Sequence, residues 1–102
     1  IKMKKKILII TTKNCLGCTV QIKNVQTAIA KSSKHIELEI KDFNDMPKRL
    51  IAKYKAYDYP FTGYLLDDEL RFGSSGSYAL TMVQRYIDVY LKWHFFRNNI
   101  SN

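Results

Sequence analysis

Hydrophobic residues change their spacing along the chain, and each change predicts a new element. Residues 7–10 are all apolar, which favours a strand covered on both faces, as in a parallel sheet between helices. From Cys18 onward the apolar residues recur every three or four positions, which predicts a helix with one buried stripe. That stripe consists of Cys18, Ile22, Val25 and Ile29. Alternation at residues 36, 38 and 40 then predicts a second strand with one solvent-exposed face.

A second helix is expected over residues 45–57. Asp45 is expected to cap it, with Pro47 in its first turn, where a missing N–H costs nothing. Its apolar positions are Leu50, Ile51, Tyr54 and Tyr57. The segment Asp58-Tyr59-Pro60 then ends the helix.

A hairpin and a last helix complete the chain. The hairpin strands are predicted at residues 61–66 and 69–72, joined by the polar turn residues Asp67-Asp68. Residues 73–76 are expected to form a flexible loop, and Ser77 to cap the last helix. The core positions of that helix are Leu80, Val83, Ile87, Tyr90 and Leu91.

The order of these elements, βαβαββα, predicts an α/β fold. Two strands joined through a helix run parallel with a right-handed crossover, and the hairpin completes a mixed four-stranded sheet flanked by helices on both faces. With 102 residues and no internal repeat or linker, residues 1–102 are expected to form a single domain.

Composition and charge narrow the class of protein. The chain is 46% hydrophobic and 25% charged, and its longest apolar run is far shorter than the ~20 residues that span a bilayer. The net charge of +8 comes from basic residues spread over every element, without an aromatic-interleaved basic motif. We therefore expect no membrane span and no nucleic-acid partner, but a charge that favours an acidic protein partner.

The basic start of the chain bears on its compartment. Lys2, Lys4, Lys5 and Lys6 before an apolar run are superficially similar to a signal peptide, but the run is too short and no small-residue cleavage site follows it. We expect a cytoplasmic protein, or a periplasmic or other extracytoplasmic one if a signal was removed before Ile1.

The two cysteines lie in the segment Cys15-Leu16-Gly17-Cys18, between the first strand and the first helix. The N-terminus of a helix carries partial positive charge and unpaired N–H groups, which favour a thiolate, and Lys13 adds a nearby cation. Cys15 is expected at the exposed tip, whereas Cys18 heads the buried stripe. An exposed sulfur and a shielded partner would form an attacking and a resolving pair. A structural disulfide is the alternative.

Metal binding is a further alternative for the same pair. Tetrahedral zinc needs four ligands, and the remaining soft candidates, His35 and His94, lie far apart on different elements, so no metal cofactor is expected. Small βαββαβ metal carriers also hold Cys-x-x-Cys after their first strand. Such a carrier would enter a hairpin where this chain predicts a helix over residues 45–57. A metal-delivery domain and a non-catalytic interaction module remain the alternatives to redox chemistry.

From Lys4 to about Phe96 the chain resembles a minimal thioredoxin-fold protein. Pro60 precedes the third strand at close to the thioredoxin separation from Cys18, so the resemblance implies a cis-proline facing the cysteines. In that family the backbone before this proline pairs with the substrate, which implies that role for Tyr59. Glutaredoxins are similar in size, but Tyr59-Pro60 and residues 73–76 stand where their glutathione-binding signatures would be, so no glutathione binding is expected.

Two departures from thioredoxins concern the cysteines. Thioredoxins have Trp-Cys-Gly-Pro-Cys, whereas Asn14 precedes this pair and Leu16 and Gly17 separate it. We expect Lys13, Leu16 and Gly17 to tune the reduction potential. The position of the buried carboxylate of thioredoxins is Ile9, so general-base help for the second cysteine would come from Lys41 or water, or be absent.

The sequence therefore predicts a thiol–disulfide oxidoreductase acting in cell redox homeostasis. Cys15 would attack a protein or small-molecule disulfide and Cys18 would resolve it, with Asn14, Tyr59 and Pro60 binding the substrate. A thiol compound or protein would donate the electrons, and no cofactor is expected.

The last helix also carries more aromatic residues than one side can bury, and this surplus would form a dimer or partner surface, beside His94. That surplus comprises Tyr86, Tyr90, Trp93, Phe95 and Phe96.

Overall fold

The computed structural model describes residues 3–92, which form a mixed four-stranded sheet with helices on both faces. The elements are β1 (Lys5–Thr11), α1 (Leu16–Lys31), β2 (Glu37–Asp42), α2 (Lys48–Tyr54), β3 (Phe61–Leu66), β4 (Glu69–Ser75) and α3 (Leu80–Tyr90). The strands are arranged β2-β1-β3-β4, with β1 parallel to β2 and the other neighbours antiparallel. The predicted βαβαββα order and sheet are confirmed.

Strand β1 lies inside the sheet and is covered on both faces, as its continuous apolar run predicts. Ile7 and Ile9 pack in the cluster that α1 and α3 form on one face. Leu8 and Ile10 pack in the opposite cluster, which includes Ile51 of α2. Because successive side chains of a strand point to opposite faces, this single strand anchors both helical layers. The cysteines follow directly after it.

The buried stripe of α1 differs from the predicted one. Cys18 and Val25 are buried as expected, but the other two fully buried positions are Gln21 and Ala28. The predicted members Ile22 and Ile29 lie only at the margin of the core. Two of the four buried positions therefore lie one residue earlier than predicted, and one of them holds the polar side chain of Gln21. Periodicity counts only apolar residues and could not include a glutamine.

Strand β2 is less buried than its alternating pattern predicts. Ile36 is buried but precedes the strand, and Ile40 is 44% exposed. Because β2 is the outer strand of the sheet, it has a neighbouring strand on one side only, and Ile40 is less covered than Ile9, with which it pairs. The prediction of a packed position at Ile40 is wrong.

Helix α2 is shorter than predicted. Asp45 does not cap it but lies in a separate 3₁₀ turn, Phe43–Asp45, which Asp42 caps by accepting the N–H of Asn44 at 2.8 Å. Pro47 is the residue before the helix rather than part of its first turn. The helix ends at Lys55, whose left-handed backbone leaves the exposed Tyr57 outside it. A local side-chain bond thus forms a separate turn where a continuous helix was expected.

The hairpin is longer than predicted. Strand β4 runs to Ser75, so Gly73 and Ser74 pair with β3 and are not part of a flexible loop. Asp67 and Asp68 both have positive φ angles, as the tight turn of a hairpin requires. The last helix begins after Ala79, without a side-chain cap, so the predicted cap at Ser77 is wrong.

Helix α3 packs its predicted core residues Val83, Ile87 and Leu91 against the sheet. The ring of Tyr86 contacts those of Tyr64 and Phe72, and the ring of Tyr90 contacts that of Phe72, with centroid distances of 4.4–5.8 Å. These two half-buried tyrosines therefore pack against the core in an aromatic cluster, and the partner surface expected on this helix stays a prediction. Trp93, His94, Phe95 and Phe96 lie outside the described residues.

A close backbone approach in the hairpin gives a first testable prediction. A Cβ atom added at Gly73 would lie 2.6 Å from Cζ of Phe61, whose ring is buried next to Pro60. We expect Gly73→Ala to lower the free energy of unfolding by about 1–3 kcal/mol, because the ring must move in a packed core. Urea unfolding would measure this. Gly17→Ala is the control, since its new Cβ would meet nothing closer than 3.5 Å. Equal stabilities of the two variants would contradict the prediction.

Candidate functional site

The cysteine pair lies where β1 ends and α1 begins. Asn14 has a φ of +54°, a left-handed conformation that asparagine tolerates better than most residues, and it turns the chain from the strand into the helix. Cys15 is the N-cap residue, and its Sγ accepts a hydrogen bond from the N–H of Cys18 at 3.0 Å. The two cysteines form a disulfide, with Cα atoms 5.2 Å apart.

The two sulfurs differ in exposure. Cys15 is half-buried, whereas Cys18 is only 4% exposed and packs on the inner face of α1. Between them, the side chain of Leu16 is 80% exposed. A reagent or substrate can therefore reach the pair from the side of Cys15.

The charge distribution around the pair favours a negative sulfur at Cys15. The first N–H groups of α1 have no partners within the helix, and the aligned peptide dipoles add partial positive charge at this end. No acidic residue occupies the first turn of α1, and the exposed Lys13 lies two residues before Cys15. The helix N-terminus and Lys13 thus both favour the thiolate form of Cys15.

Pro60 and Ser77 lie opposite the start of α1. A Cβ atom at Gly17 would be 3.5 Å from Cδ of Pro60 and 3.8 Å from Oγ of Ser77. The Tyr59–Pro60 peptide bond is cis, and the Pro60 carbonyl accepts the N–H of Gly76 at 2.7 Å. The site thus joins the cysteine turn, the start of β3 and the loop before α3. The loop is a part that the sequence analysis did not assign to the site.

Aromatic side chains continue the surface beyond Pro60. The hydroxyl of Tyr59 donates to the Ala56 carbonyl at 2.5 Å, and its ring meets that of Phe43 edge-on at 5.3 Å. Burial raises the pKa of Tyr59 above its ordinary value, so the phenol stays protonated and keeps its hydrogen bond at neutral pH. Phe43 and Tyr57 are both exposed. We call Phe43, Tyr57 and Tyr59 the aromatic rim.

A buried polar group lies one helical turn beyond Cys18. Gln21 is fully buried, and its Nε2 donates to Oγ1 of Thr62 at 2.9 Å. Its Oε1 accepts the N–H of Tyr78 at 3.2 Å, and Nδ2 of Asn24 donates to the carbonyl of Tyr78 at 3.0 Å. This group was not among the residues predicted from the sequence. The available signal was the position of Gln21 three residues after Cys18, which places both on one face of a helix.

The residue at the position of the thioredoxin carboxylate, Ile9, and the candidate general base, Lys41, differ in their surroundings. Ile9 is fully buried in the core beside α1 and α3. Lys41 is exposed, and its ammonium lies 3.8 Å from a carboxylate oxygen of Glu39.

Within residues 3–92, no three side chains of the His, Cys, Asp and Glu types lie close enough together to hold a metal ion. None of the described helices is long and apolar enough to cross a membrane.

Comparisons with known proteins bear on the fold. No protein-family model matches the sequence, and no curated protein sequence matches it. Among solved structures, thioredoxin-2, a component of the protein secretion machinery of a malaria parasite, superposes with a TM-score of 0.71 at 18% identity. The match covers 86% of this chain and 84% of that one.

Two further structures give the same result. A protein described only as malarial matches with a TM-score of 0.70 at 18% identity, covering 87% of this chain and 99% of its own. A mutant thioredoxin from Halobacterium salinarum matches with a TM-score of 0.73 at 14% identity, covering 89% and 78%. At such identities the likeness concerns the fold and not the activity. Residues 3–92 have the thioredoxin fold, which confirms the resemblance seen in the sequence.

Proposed function

We propose that the protein is a thiol–disulfide oxidoreductase that uses Cys15 as the attacking thiol and Cys18 as the resolving thiol. The observation that carries this proposal is the disulfide between a half-exposed sulfur at a helix N-terminus and a buried sulfur three residues later, across from Pro60. Exchange needs one sulfur that a substrate can reach and a second that can approach the first without leaving the protein. This pair meets both requirements.

In the reducing direction the reaction has two displacement steps. The Cys15 thiolate attacks one sulfur of a substrate disulfide, forms a mixed disulfide and releases the other substrate sulfur as a thiolate, which takes up a proton. Cys18 loses its proton and attacks Sγ of Cys15, forming the Cys15–Cys18 bond and releasing the second substrate sulfur. The protein loses two electrons and the substrate gains two. An external thiol donor then reduces the protein disulfide.

Substrate binding would use the surface around Cys15. We assign Asn14, Tyr59 and Pro60 to substrate contact, with Tyr59 supplying backbone and the aromatic rim supplying apolar area. The exposed rings of Phe43 and Tyr57 suit a polypeptide better than a small disulfide, because they extend the contact beyond the reacting sulfurs. The net charge of +8 favours acidic polypeptides. Lys13, Leu16 and Gly17 would tune the potential of the pair.

Reduction of insulin disulfides by dithiothreitol tests the proposal. We expect the wild-type protein to accelerate precipitation of the insulin B chain, and Cys15→Ser to abolish that acceleration, because no attacking thiolate remains. Ser33→Ala, at an exposed serine beyond the opposite end of α1, serves as the control and should keep full activity. A wild-type protein with no effect above dithiothreitol alone would contradict the proposal. Stoichiometric Cu(I) binding by the reduced protein, without turnover, would instead support the metal-delivery alternative.

A further inference from the structure

Gln21 and Thr62 form a buried polar bridge beneath the cysteine pair that the exchange reaction itself does not require. Both side chains are fully buried, and the 2.9 Å hydrogen bond joins α1 to β3. Within residues 3–92, the other large side chains that are fully buried are apolar, apart from Tyr64, whose hydroxyl bonds to that of Tyr78. Two polar groups in such a core reduce apolar packing, which is offset only if they satisfy each other.

The bridge lies where the three parts of the site meet. Gln21 is one turn after Cys18 on the inner face of α1, and Thr62 is two residues after Pro60 on β3. The other end of the Gln21 carboxamide holds the N–H of Tyr78, directly after Ser77. One side chain therefore fixes the helix of the resolving cysteine relative to the strand and the loop that face it.

We propose that Gln21 and Thr62 are positioning residues for the resolving step, a role that rests on the proposed exchange function. In that step Sγ of Cys18 must reach Sγ of Cys15 in line with the departing substrate sulfur. Substrate is held on the side of Pro60, whereas Cys18 moves with α1. The bridge connects α1 to β3, the strand that begins next to Pro60. Its loss therefore lets the first turns of α1 shift relative to bound substrate. Cys15 is reached directly from solvent, so the first attack does not depend on this alignment.

Ellman's reagent separates the two steps in a single turnover. Attack by Cys15 releases one thionitrobenzoate and leaves the other in a mixed disulfide, and resolution by Cys18 releases the second. Thr62→Val removes the hydroxyl at nearly constant size. We expect it to slow the second release about tenfold and leave the first within about twofold, because misplacement of a reacting group by a fraction of an ångström has effects of this size. Gln21→Met should act in the same way.

Two matched variants separate positioning from general damage. Thr62→Ser keeps the hydroxyl and should restore most of the second rate. Asn24→Ala removes the hydrogen bond to the Tyr78 carbonyl but leaves the bridge intact, and should preserve the ratio of the two rates. If Thr62→Val unfolds more readily, the ratio is measured well below its melting temperature, where nearly all of the protein is folded and the ratio reports on positioning.

The outcomes distinguish this inference from the function on which it rests. Equal slowing of both releases, or an unchanged second release in both Thr62→Val and Gln21→Met, would overturn the positioning role while leaving turnover of insulin by the wild type untouched. A wild-type protein that releases two equivalents and fails to reduce insulin would contradict the proposed function. A wild type that never releases the second equivalent would contradict the resolving role of Cys18, and with it the proposed function on which the inference rests.

Discussion

The Cys18→Ser variant is expected to accumulate a mixed disulfide with its substrate, whereas Cys15→Ser is expected to form almost none. In Cys18→Ser the exposed sulfur at the tip of α1 can still attack, but no thiol remains to release the product. In Cys15→Ser the only remaining thiol, that of Cys18, belongs to a residue that is 4% exposed in the wild-type structure, so a protein disulfide cannot approach it. We expect at least about tenfold more adduct from the first variant, since exposure and thiolate character both favour Cys15.

Non-reducing electrophoresis and intact-mass measurement after mixing each reduced variant with oxidised insulin would quantify the adduct. The Cys15→Ser/Cys18→Ser double variant measures non-covalent background. An adduct that forms through Cys18 would reverse the roles of the two thiols but keep the pair as the reactive centre. Equal adduct from both variants would contradict the difference in exposure on which the order is based.

The sequence was most informative where one physical requirement dominates a segment. The run over residues 7–10 favoured a strand covered on both faces, and β1 is such a strand. The position of Cys15 before an apolar helical stripe indicated the N-terminus of a helix, and Cys15 is its N-cap. In both cases the local pattern agrees with the burial found in the fold, so the local pattern was sufficient to predict the element.

Prediction failed where contacts distant in sequence decide the structure. Gln21 is buried because Thr62, 41 residues away, accepts its amide hydrogen, and no local pattern reveals that acceptor. Ile40 is exposed because β2 is at the edge of the sheet, although its alternation is that of a packed strand. The loop with Ser77 joined the site for the same reason, through the hydrogen bond from Gly76 to Pro60. Hydrophobic periodicity predicts which face of one element is buried, whereas the order of strands in the sheet determines which other elements cover that face.

In the reduced protein, iodoacetamide is expected to alkylate Cys15 at least about tenfold faster than Cys18 near neutral pH, because the thiolate is the reactive species. The Cys18 N–H that lies 3.0 Å from the sulfur of Cys15 can stabilise negative charge there, and the helix N-terminus adds to it. Cys18 is buried, and desolvation opposes a thiolate there. Peptide mass mapping with isotopically distinct reagents, added before and after denaturation, would give both rates.

The same measurement in urea provides the control, because unfolding removes both the helix and the burial and should bring the two rates close together. Lys13→Gln tests the smaller electrostatic contribution. Because Lys13 is exposed and screened by salt, we expect its loss to slow alkylation of Cys15 by no more than about threefold, and less at high ionic strength. A large effect of Lys13→Gln would mean that the lysine, and not the helix N-terminus, activates Cys15. Faster alkylation of Cys18 in the folded protein would contradict the assignment of Cys15 as the attacking thiol.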